Sequence, residues 1–155
     1  MIVKKMPILQ GFPDFETVKF FTGKFFQKYN FTPVFYDIET TGLSRNSTYL
    51  YLIGAVGIED ETWNFYQWMA ENASEEEKIL RIFSQFLQRC DLLISYNGDS
   101  FDQPYLEARY EKYGIPSPFT GKQSLDLYLT LKPLKPLLKL PAMKQPCMEE
   151  FLGIK

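Results

Sequence analysis

Three apolar stretches follow one another closely between residues 34 and 69 and predict three β-strands. The first opens with Val34-Phe35-Tyr36, the second runs from Tyr49 to Ile58, and the third from Thr62 to Met69. The second stretch is apolar on both faces, which is typical of a strand in the middle of a sheet. Because the connections between the three are short, we expect them to pair as an antiparallel meander.

Helical periodicity marks two further segments. Residues 74–87 carry the clearest repeat, formed by Ile79, Leu80, Ile82, Phe83, Phe86 and Leu87. Ser74 and Glu77 predict a capping box at the start of this helix. An earlier helix is predicted from residue 14 to residue 29, with Asp14 as its N-cap. Its apolar face is expected to comprise Val18, Phe21, Phe25 and Tyr29.

The second half of the chain alternates short strands and helices. Leu92 to Tyr96 predicts a buried strand, and the turn after it leads into another helix. Pro104 is compatible only with the first turn of that helix, so Asp102 is expected at its N-terminus. Ser124 to Leu127 predicts a last strand, and residues 146–152 predict a last short helix.

This order of elements predicts an α/β domain with a mixed central sheet of about five strands and flanking helices. All 155 residues are expected to form a single domain, because domains of about 100–150 residues are the commonest. The aromatic-rich helix within residues 1–31 is expected to pack on it. With 45% hydrophobic and 17% aromatic residues, the chain has enough apolar side chains for a core.

Two acids end the first predicted strand, and a third begins a helix. Asp37 and Glu39 lie two positions apart, so their side chains share one face of the strand. Asp102 follows the fourth predicted strand, and the carboxyl ends of strands are where α/β sheets bind ligands. A strand that simply ends in a solvated acidic turn would also explain Asp37 and Glu39. A glycosidase would use two carboxylates as well, but usually from separate elements.

Three neighbouring carboxylates favour metal ions as partners. Like charges raise one another's pKa unless cations neutralise them. Two Mg²⁺ or Mn²⁺ ions about 3.5–4 Å apart would do so, and would clamp the attacking and leaving oxygens of a phosphodiester. The chain contains no histidine, so no imidazole takes part in its chemistry.

Net charge and cysteine content limit the binding partners and the cellular compartment that we expect. A net charge of −2 excludes a polycationic surface, so any contact with nucleic acid needs a local basic patch. The candidates for that patch are Lys132, Lys135, Lys139 and Lys144. Two cysteines are too few for a disulfide framework, and no long apolar span or signal-peptide pattern occurs. We therefore expect a cytoplasmic protein without a membrane partner.

Two motifs closely resemble those of the DEDD 3′–5′ exonucleases, which have a ribonuclease H-like fold. They are Phe35–Leu43 (FYDIETTGL) and Ser95–Leu106 (SYNGDSFDQPYL). Within that superfamily the chain is most similar to the prokaryotic ribonuclease H-like exonuclease-related domains. Ser124–Tyr128 and Cys147–Ile154 resemble later parts of their pattern. The resemblance covers about residues 32–154.

The resemblance implies a metal-dependent 3′–5′ exonuclease that hydrolyses phosphodiester bonds of single-stranded DNA or RNA. It implies that Asp37, Glu39 and Asp102 are catalytic ligands of Mg²⁺ or Mn²⁺. It also implies substrate contacts from Thr40, Thr41, Gly42, Leu43, Asn97 and Phe101, with Leu43 wedged against a base. Local explanations remain for two of these residues, because Asn97 suits a turn and Phe101 suits the core.

The chain departs from this pattern at the fourth acid. The family pattern has a further aspartate on a helix beyond the position of Gly153-Ile154, and no aspartate follows Asp126 here. Asp126 is a tentative substitute ligand, although it would also serve as a helix cap, and Glu150 is another candidate. We therefore expect one well-bound ion, a weak second one, and better activity with Mn²⁺ than with Mg²⁺. The alternative is a weak or inactive nuclease-like module that binds nucleic acid or a protein partner. The aromatic N-terminal helix also suggests a homo-oligomer.

Overall fold

The computed structural model describes residues 1–8, 10–27 and 31–153. Within these ranges the centre is a mixed sheet of six strands in the order β1-β4-β3-β2-β5-β6. The strands are β1 (Ile2–Pro7), β2 (Pro33–Thr40), β3 (Leu50–Glu59), β4 (Thr62–Met69), β5 (Leu92–Ser95) and β6 (Gln123–Asp126). β2, β5 and β6 are parallel to one another, and the other pairs are antiparallel.

Helices flank the sheet in the described part of the chain. They are α1 (Phe15–Phe26), α2 (Glu76–Leu87), α3 (Asp102–Lys112), α4 (Leu127–Leu131), α5 (Lys135–Leu138) and α6 (Gln145–Phe151). Short 3₁₀ turns at Ala73–Glu75 and Lys132–Leu134 precede α2 and α5. None of the described helices has the length and apolar character needed to cross a bilayer. The predicted α/β class with a mixed sheet is confirmed.

The predicted strand count was too low, because β1 was missed. The three-stranded meander is present as β2, β3 and β4, and β1 adds an antiparallel edge strand beside β4. Pairing runs from Ile2 opposite Met69 to Pro7 opposite Asn64. All six residues of β1 are exposed, so the strand has no buried face to produce an apolar pattern. Only its partner strand defines it.

The first helix is present, but its buried face differs from the predicted one. Asp14 caps α1 as expected, accepting a hydrogen bond of 2.9 Å from the Thr17 N–H. The buried positions are Val18, Thr22 and Gly23, whereas Phe21 and Phe25 are exposed. Thr22 is accommodated because its hydroxyl donates to the Val18 carbonyl at 2.8 Å. Tyr29 lies outside the described residues.

The predicted capping box before α2 is wrong. Asn72 caps the 3₁₀ turn that precedes α2, and its side-chain oxygen accepts from the Ser74 N–H at 3.1 Å. Glu75 lies at the N-cap of α2 and makes no side-chain capping hydrogen bond. Ser74 itself lies in the 3₁₀ turn, so Glu77 does not occupy the third helical position after it. Glu76 therefore begins α2, and its side chain is completely buried.

The two faces of the sheet are covered to different extents. We call the face that carries Phe35, Asp37 and Glu39 the front face, and the opposite one the rear face. Tyr36 and Ile38 point to the rear face and join the main core. That core includes Ile79, Leu80 and Phe83 of α2 and Tyr105 and Leu106 of α3. A smaller cluster on the front face includes Phe26 of α1, Phe35 of β2 and Leu127 of α4.

A buried ion pair holds the rear layer together. Glu76 and Arg109 are 0% and 1% exposed, and Arg109 donates to both carboxylate oxygens, with Nε at 2.7 Å from Oε1. Glu76 also accepts from the Leu50 N–H at 2.8 Å and the Tyr113 hydroxyl at 2.7 Å. Arg109 Nη1 donates to the Arg45 carbonyl at 2.8 Å. The pair therefore joins α2 and α3 to β3 and to the loop before it.

We predict that Arg109→Met lowers the free energy of unfolding by about 3–5 kcal/mol, because it leaves the Glu76 carboxylate buried without its counter-charge. Arg81→Met is the matched control. Arg81 pairs with Glu77 at 2.7 Å on the exposed side of α2, so its loss is expected to cost about 0.3–0.5 kcal/mol. Urea unfolding of both variants measures the difference. Equal, small losses would contradict the role assigned to the buried pair.

Candidate active site

β2 presents two acids on the front face. Asp37 and Glu39 lie opposite Gly54 and Leu52 of β3, and both carboxylates are exposed. The intervening Ile38 is buried in the rear core, which fixes the direction in which its neighbours point. The β2–β3 register shifts directly after Glu39. The predicted sharing of one face by the two acids is confirmed.

The third acid is held against the same strand by a single hydrogen bond. Asp102 is the first residue of α3 and is buried, and its Oδ1 accepts from the Ile38 N–H at 3.1 Å. β5 pairs with β2 only from Pro33 to Phe35, so this N–H is beyond the parallel ladder. Asp102 therefore takes the place of a strand partner between the two acids of β2.

Negative charge is concentrated at this strand end. Burial, and then the charge of Asp37, raise the pKa of Asp102 from 3.8 to about 6. Partial desolvation, and then the charge of Glu39, raise the pKa of Asp37. Asp37 thus interacts with both other acids, but in the described part of the chain no three acidic side chains are close enough to form a ready-made metal-binding group.

The donor set suits a divalent cation. Carboxylate oxygens are the ligands that Mg²⁺ and similar hard ions prefer. A cation would also offset the burial and the repulsion that raise the pKa values of Asp37 and Asp102. The residues that could hold it are Asp37, Glu39 and Asp102.

An open cleft of about 530 Å³ lies on the front face beside the acids. Asp37 and Glu39 form part of its wall, and half-buried apolar residues of β3 and β4, such as Val56 and Phe65, form its floor. α4 and α6 contribute the opposite wall through residues that include Leu131, Met148 and Glu149. The cleft is therefore acidic on one side and largely apolar below.

Glu149 was not singled out from the sequence, whereas Glu150 was. Glu149 is half-buried and lines the cleft, while Glu150 is exposed and does not. The spacing of α6 contained the signal, because Gln145, Met148, Glu149 and Leu152 occupy one helical face and all line the cleft. The acid that α6 directs to the site is thus one position earlier than expected.

The segment after Glu39 is a compact turn that projects one leucine. The Thr40 hydroxyl donates to the Gly42 carbonyl at 2.9 Å, and the Thr41 N–H donates to the Tyr49 carbonyl at 3.0 Å. A Cβ atom at Gly42 would lie 2.8 Å from the Thr48 methyl group, so any other residue would require Thr48 to shift. Leu43 is 83% exposed. It is free of the core and available to a ligand.

The turn that carries Asn97 is shaped by local geometry. Asn97 has φ +65°, in the left-handed region, as its predicted turn role requires. A Cβ atom at Gly98 would lie 2.3 Å from the Ser95 hydroxyl oxygen, so the backbone passes too close for any other residue. Phe101 packs against the main core with its ring 5.7 Å from that of Tyr105. Its predicted place in the core is confirmed, and its substrate contact stays a prediction.

Asp126 acts as a cap and also fixes the Asn97 turn. Its Oδ1 accepts from the N–H groups of Tyr128, Leu129 and Asn97, and its Oδ2 accepts from the Asp99 N–H, all within 2.9–3.2 Å. The carboxylate is buried and its charge is met by these four donors. The predicted capping role is confirmed, and a role as metal ligand stays a prediction.

We predict that Asp102→Asn changes how stability depends on pH. Between about pH 4 and pH 6 the folded chain retains a proton on Asp102 that the unfolded chain has released. This carboxyl therefore makes the free energy of unfolding fall as the pH rises through that window. Asparagine still accepts from the Ile38 N–H but does not titrate, so the variant is expected to be more stable at pH 7 by up to about 3 kcal/mol.

Urea unfolding in EDTA from pH 4 to pH 8 tests this expectation. Asp60→Asn is the matched control, since Asp60 is an exposed aspartate in the turn between β3 and β4. Parallel stability curves for the wild type and Asp102→Asn would show that the Asp102 carboxyl titrates as it does in the unfolded chain.

Comparisons with known proteins agree with this architecture. A family model described as RNase H superfamily matches residues 34–155. A DNA polymerase of Pyrococcus glycovorans is 49% identical over 47 residues, which are 30% of this chain and 6% of that protein. The matching segments are thus short, and the chain spans only a small part of that polymerase.

Solved structures share the fold at low sequence identity. E. coli exonuclease I in complex with a dT13 oligonucleotide superposes with a TM-score of 0.67 at 12% identity, covering 81% of this chain and 36% of that one. The family B DNA polymerase of Pyrobaculum calidifontis gives a TM-score of 0.65 at 18% identity, covering 81% of this chain and 19% of that one. The ribonuclease H-like fold predicted from the motifs is confirmed, and the chain belongs to the RNase H superfamily.

Proposed function

We propose that this chain is a nuclease domain that removes nucleotides from the 3′ end of single-stranded DNA with the help of Mg²⁺ or Mn²⁺. One observation carries the proposal. The acids of β2 and the acid that begins α3 meet at one strand end, linked through the Ile38 N–H, beside an open cleft.

The acids have distinct tasks in this proposal. Asp37 and Glu39 lie on the cleft wall and would bind the ion or ions there, while the Ile38 N–H orients Asp102 toward the same point. When bound, divalent ions activate a water molecule and stabilise the charge that develops on a phosphodiester. The chain itself supplies the negative charge that attracts the ions.

The turn after β2 and the cleft floor would bind the terminal nucleotide. Leu43 projects from the turn and offers an apolar surface against which a base can pack. The turn is fixed at the Gly42 carbonyl, which accepts hydrogen bonds from the Thr40 and Thr48 hydroxyls, so it would bind the nucleotide without further ordering. On the other wall, α4 leads into exposed lysines that would attract phosphates: Lys132, Lys135 and Lys139.

The relatives support DNA as the first substrate to test. The solved exonuclease I contains a single-stranded dT13, and the polymerases are DNA polymerases by name. These are properties of those proteins, and they motivate the same substrate class for this chain. Single-stranded RNA is the comparison substrate.

One observation favours a second candidate function, binding without cleavage. In the residues that the structure describes, the three acids do not form a ready-made metal-binding group. A domain of this kind would bind single-stranded nucleic acid in the cleft without cleaving it.

We expect the full chain to shorten a 5′-labelled single-stranded oligonucleotide stepwise in Mn²⁺, more slowly in Mg²⁺, and not in EDTA. Asp37→Asn is expected to lower the rate at least about 100-fold, since loss of even an outer-shell partner of a metal ligand costs about 10- to 100-fold. Asp60→Asn is the matched control, because Asp60 lies at the opposite end of the sheet from Asp37.

The same experiment separates the two candidates. If the chain binds the oligonucleotide but does not shorten it in either metal, binding without cleavage is the function. If Asp37→Asn shortens the oligonucleotide as fast as the wild type, cleavage takes place at a site that does not include Asp37. Calorimetric titration then counts the ions, with one tight site and one weak site expected.

A further inference from the structure

We propose that the outward face of α1 is a second binding surface for single-stranded nucleic acid, outside the cleft. We call this surface, formed by Phe20, Phe21 and Phe25 with Lys24, the α1 platform. The inference deepens the proposed function and rests on it in taking a single strand as the ligand.

The α1 platform exposes an unusual amount of aromatic surface. Phe20, Phe21 and Phe25 are 50%, 65% and 59% exposed, and the rings of Phe20 and Phe21 lie edge to face with centroids 5.8 Å apart. The helix does not need these rings for its own packing, because Val18 and Thr22 face inward. The three rings therefore remain exposed although α1 is packed on the sheet.

α1 is anchored at both ends, so the platform has a fixed orientation. At its start, the Asp14 cap and a 2.8 Å hydrogen bond from the Trp63 indole N–H to the Pro13 carbonyl hold the chain. At its end, Phe26 packs against Phe31, with ring centroids 5.4 Å apart. A rigid aromatic surface loses little conformational entropy when a ligand binds.

The charge of the platform selects the ligand. Lys24 Nζ lies 4.5 Å from the Phe20 ring centroid, and among the described residues no carboxylate pairs with it. Lys19 lies on the side of the buried positions, 4.8 Å from the Phe15 ring centroid and 3.4 Å from Glu16, so Lys24 is the cation of the platform. Exposed rings beside a lysine match a ligand with flat apolar faces and anions. A single strand, with stacked bases and phosphates, has both.

This charge disfavours a second copy of the chain as the occupant. In a symmetric dimer the same patch meets itself, so one apolar interface would enclose the Lys24 ammonium groups of both copies. The position of α1 favours single-stranded nucleic acid as the ligand instead. Its N-terminal loop packs on the front face, with the Phe12 and Phe35 ring centroids 5.2 Å apart, and Phe35 lines the cleft two residues before Asp37. The platform and the acids thus belong to one side of the sheet.

The test compares stacking-deficient and stacking-competent variants of the full chain. A triple variant with Phe20→Leu, Phe21→Leu and Phe25→Leu keeps the apolar character but removes the rings. The matched triple variant with tyrosine at the same positions keeps the rings. Fluorescence anisotropy with labelled dT20 and dT4 in EDTA measures binding, because no cleavage is expected there. The leucine variant is expected to bind dT20 at least about fivefold more weakly, and the tyrosine variant to bind it like the wild type.

Lys24→Gln provides an independent readout. It is expected to reduce the dependence of dT20 affinity on salt concentration, since one phosphate contact is lost. Binding of dT4 is expected to be unchanged in the leucine variant, because so short a strand is held in the cleft alone. Thermal unfolding checks that the leucine variant folds; the substituted side chains are exposed, so a native-like transition is expected.

The outcomes distinguish this inference from the proposed function. If dT20 is not shortened in metal but its binding still needs the aromatic rings, the inference holds and the cleavage proposal fails. If dT20 is shortened and the leucine variant binds it like the wild type, the inference is overturned. Self-association of the wild type in sedimentation that the leucine substitutions abolish would also overturn it, by assigning the face to a second copy.

Discussion

The pairing of Glu76 with Arg109 is the constraint on which the rest of the structure depends. Both side chains are fully buried, and removing two ions from water costs several kcal/mol per ion unless every donor and acceptor is met. The Glu76 carboxylate is met by the Leu50 N–H, the Arg109 guanidinium and the Tyr113 hydroxyl. It fixes the start of β3, the first turn of α2 and the middle of α3. The start of α3 is then placed against β2, where Asp102 reaches Ile38.

The molecule treats its buried and half-buried acids in two opposite ways. Glu76 and Asp126 each accept four hydrogen bonds from other residues, and their carboxylates hold elements of the fold together. In the described part of the chain Asp102 accepts from only one other residue, and its neighbour Asp37 raises its pKa. Carboxylates with pKa values perturbed in this way are concentrated at functional sites. The two groups of acids differ chiefly in how many hydrogen-bond donors meet each carboxylate.

Local patterns predicted the features that depend on neighbours in sequence. The shared face of Asp37 and Glu39 follows from strand geometry, and the place of Asp102 follows from the limits that Pro104 sets on a helix. The features that were missed depend on distant partners. β1 is defined only by β4, and the buried face of α1 depends on which side meets the sheet. No residue near Glu76 in the sequence indicates that Arg109, 33 positions away, will neutralise it.

The pairing of Asp37 with Gly54 and Glu39 with Leu52 has a consequence for folding. Side chains on a strand alternate, so a slip of one residue between β2 and β3 would turn both acids into the rear core beside Phe83 and Tyr105. The same slip would expose Tyr36 and Ile38 to the cleft. Burying two unpaired carboxylates is far more costly than leaving them in water. The acids that face the cleft thus also act as a register lock, because they penalise a one-residue slip of β2 against β3.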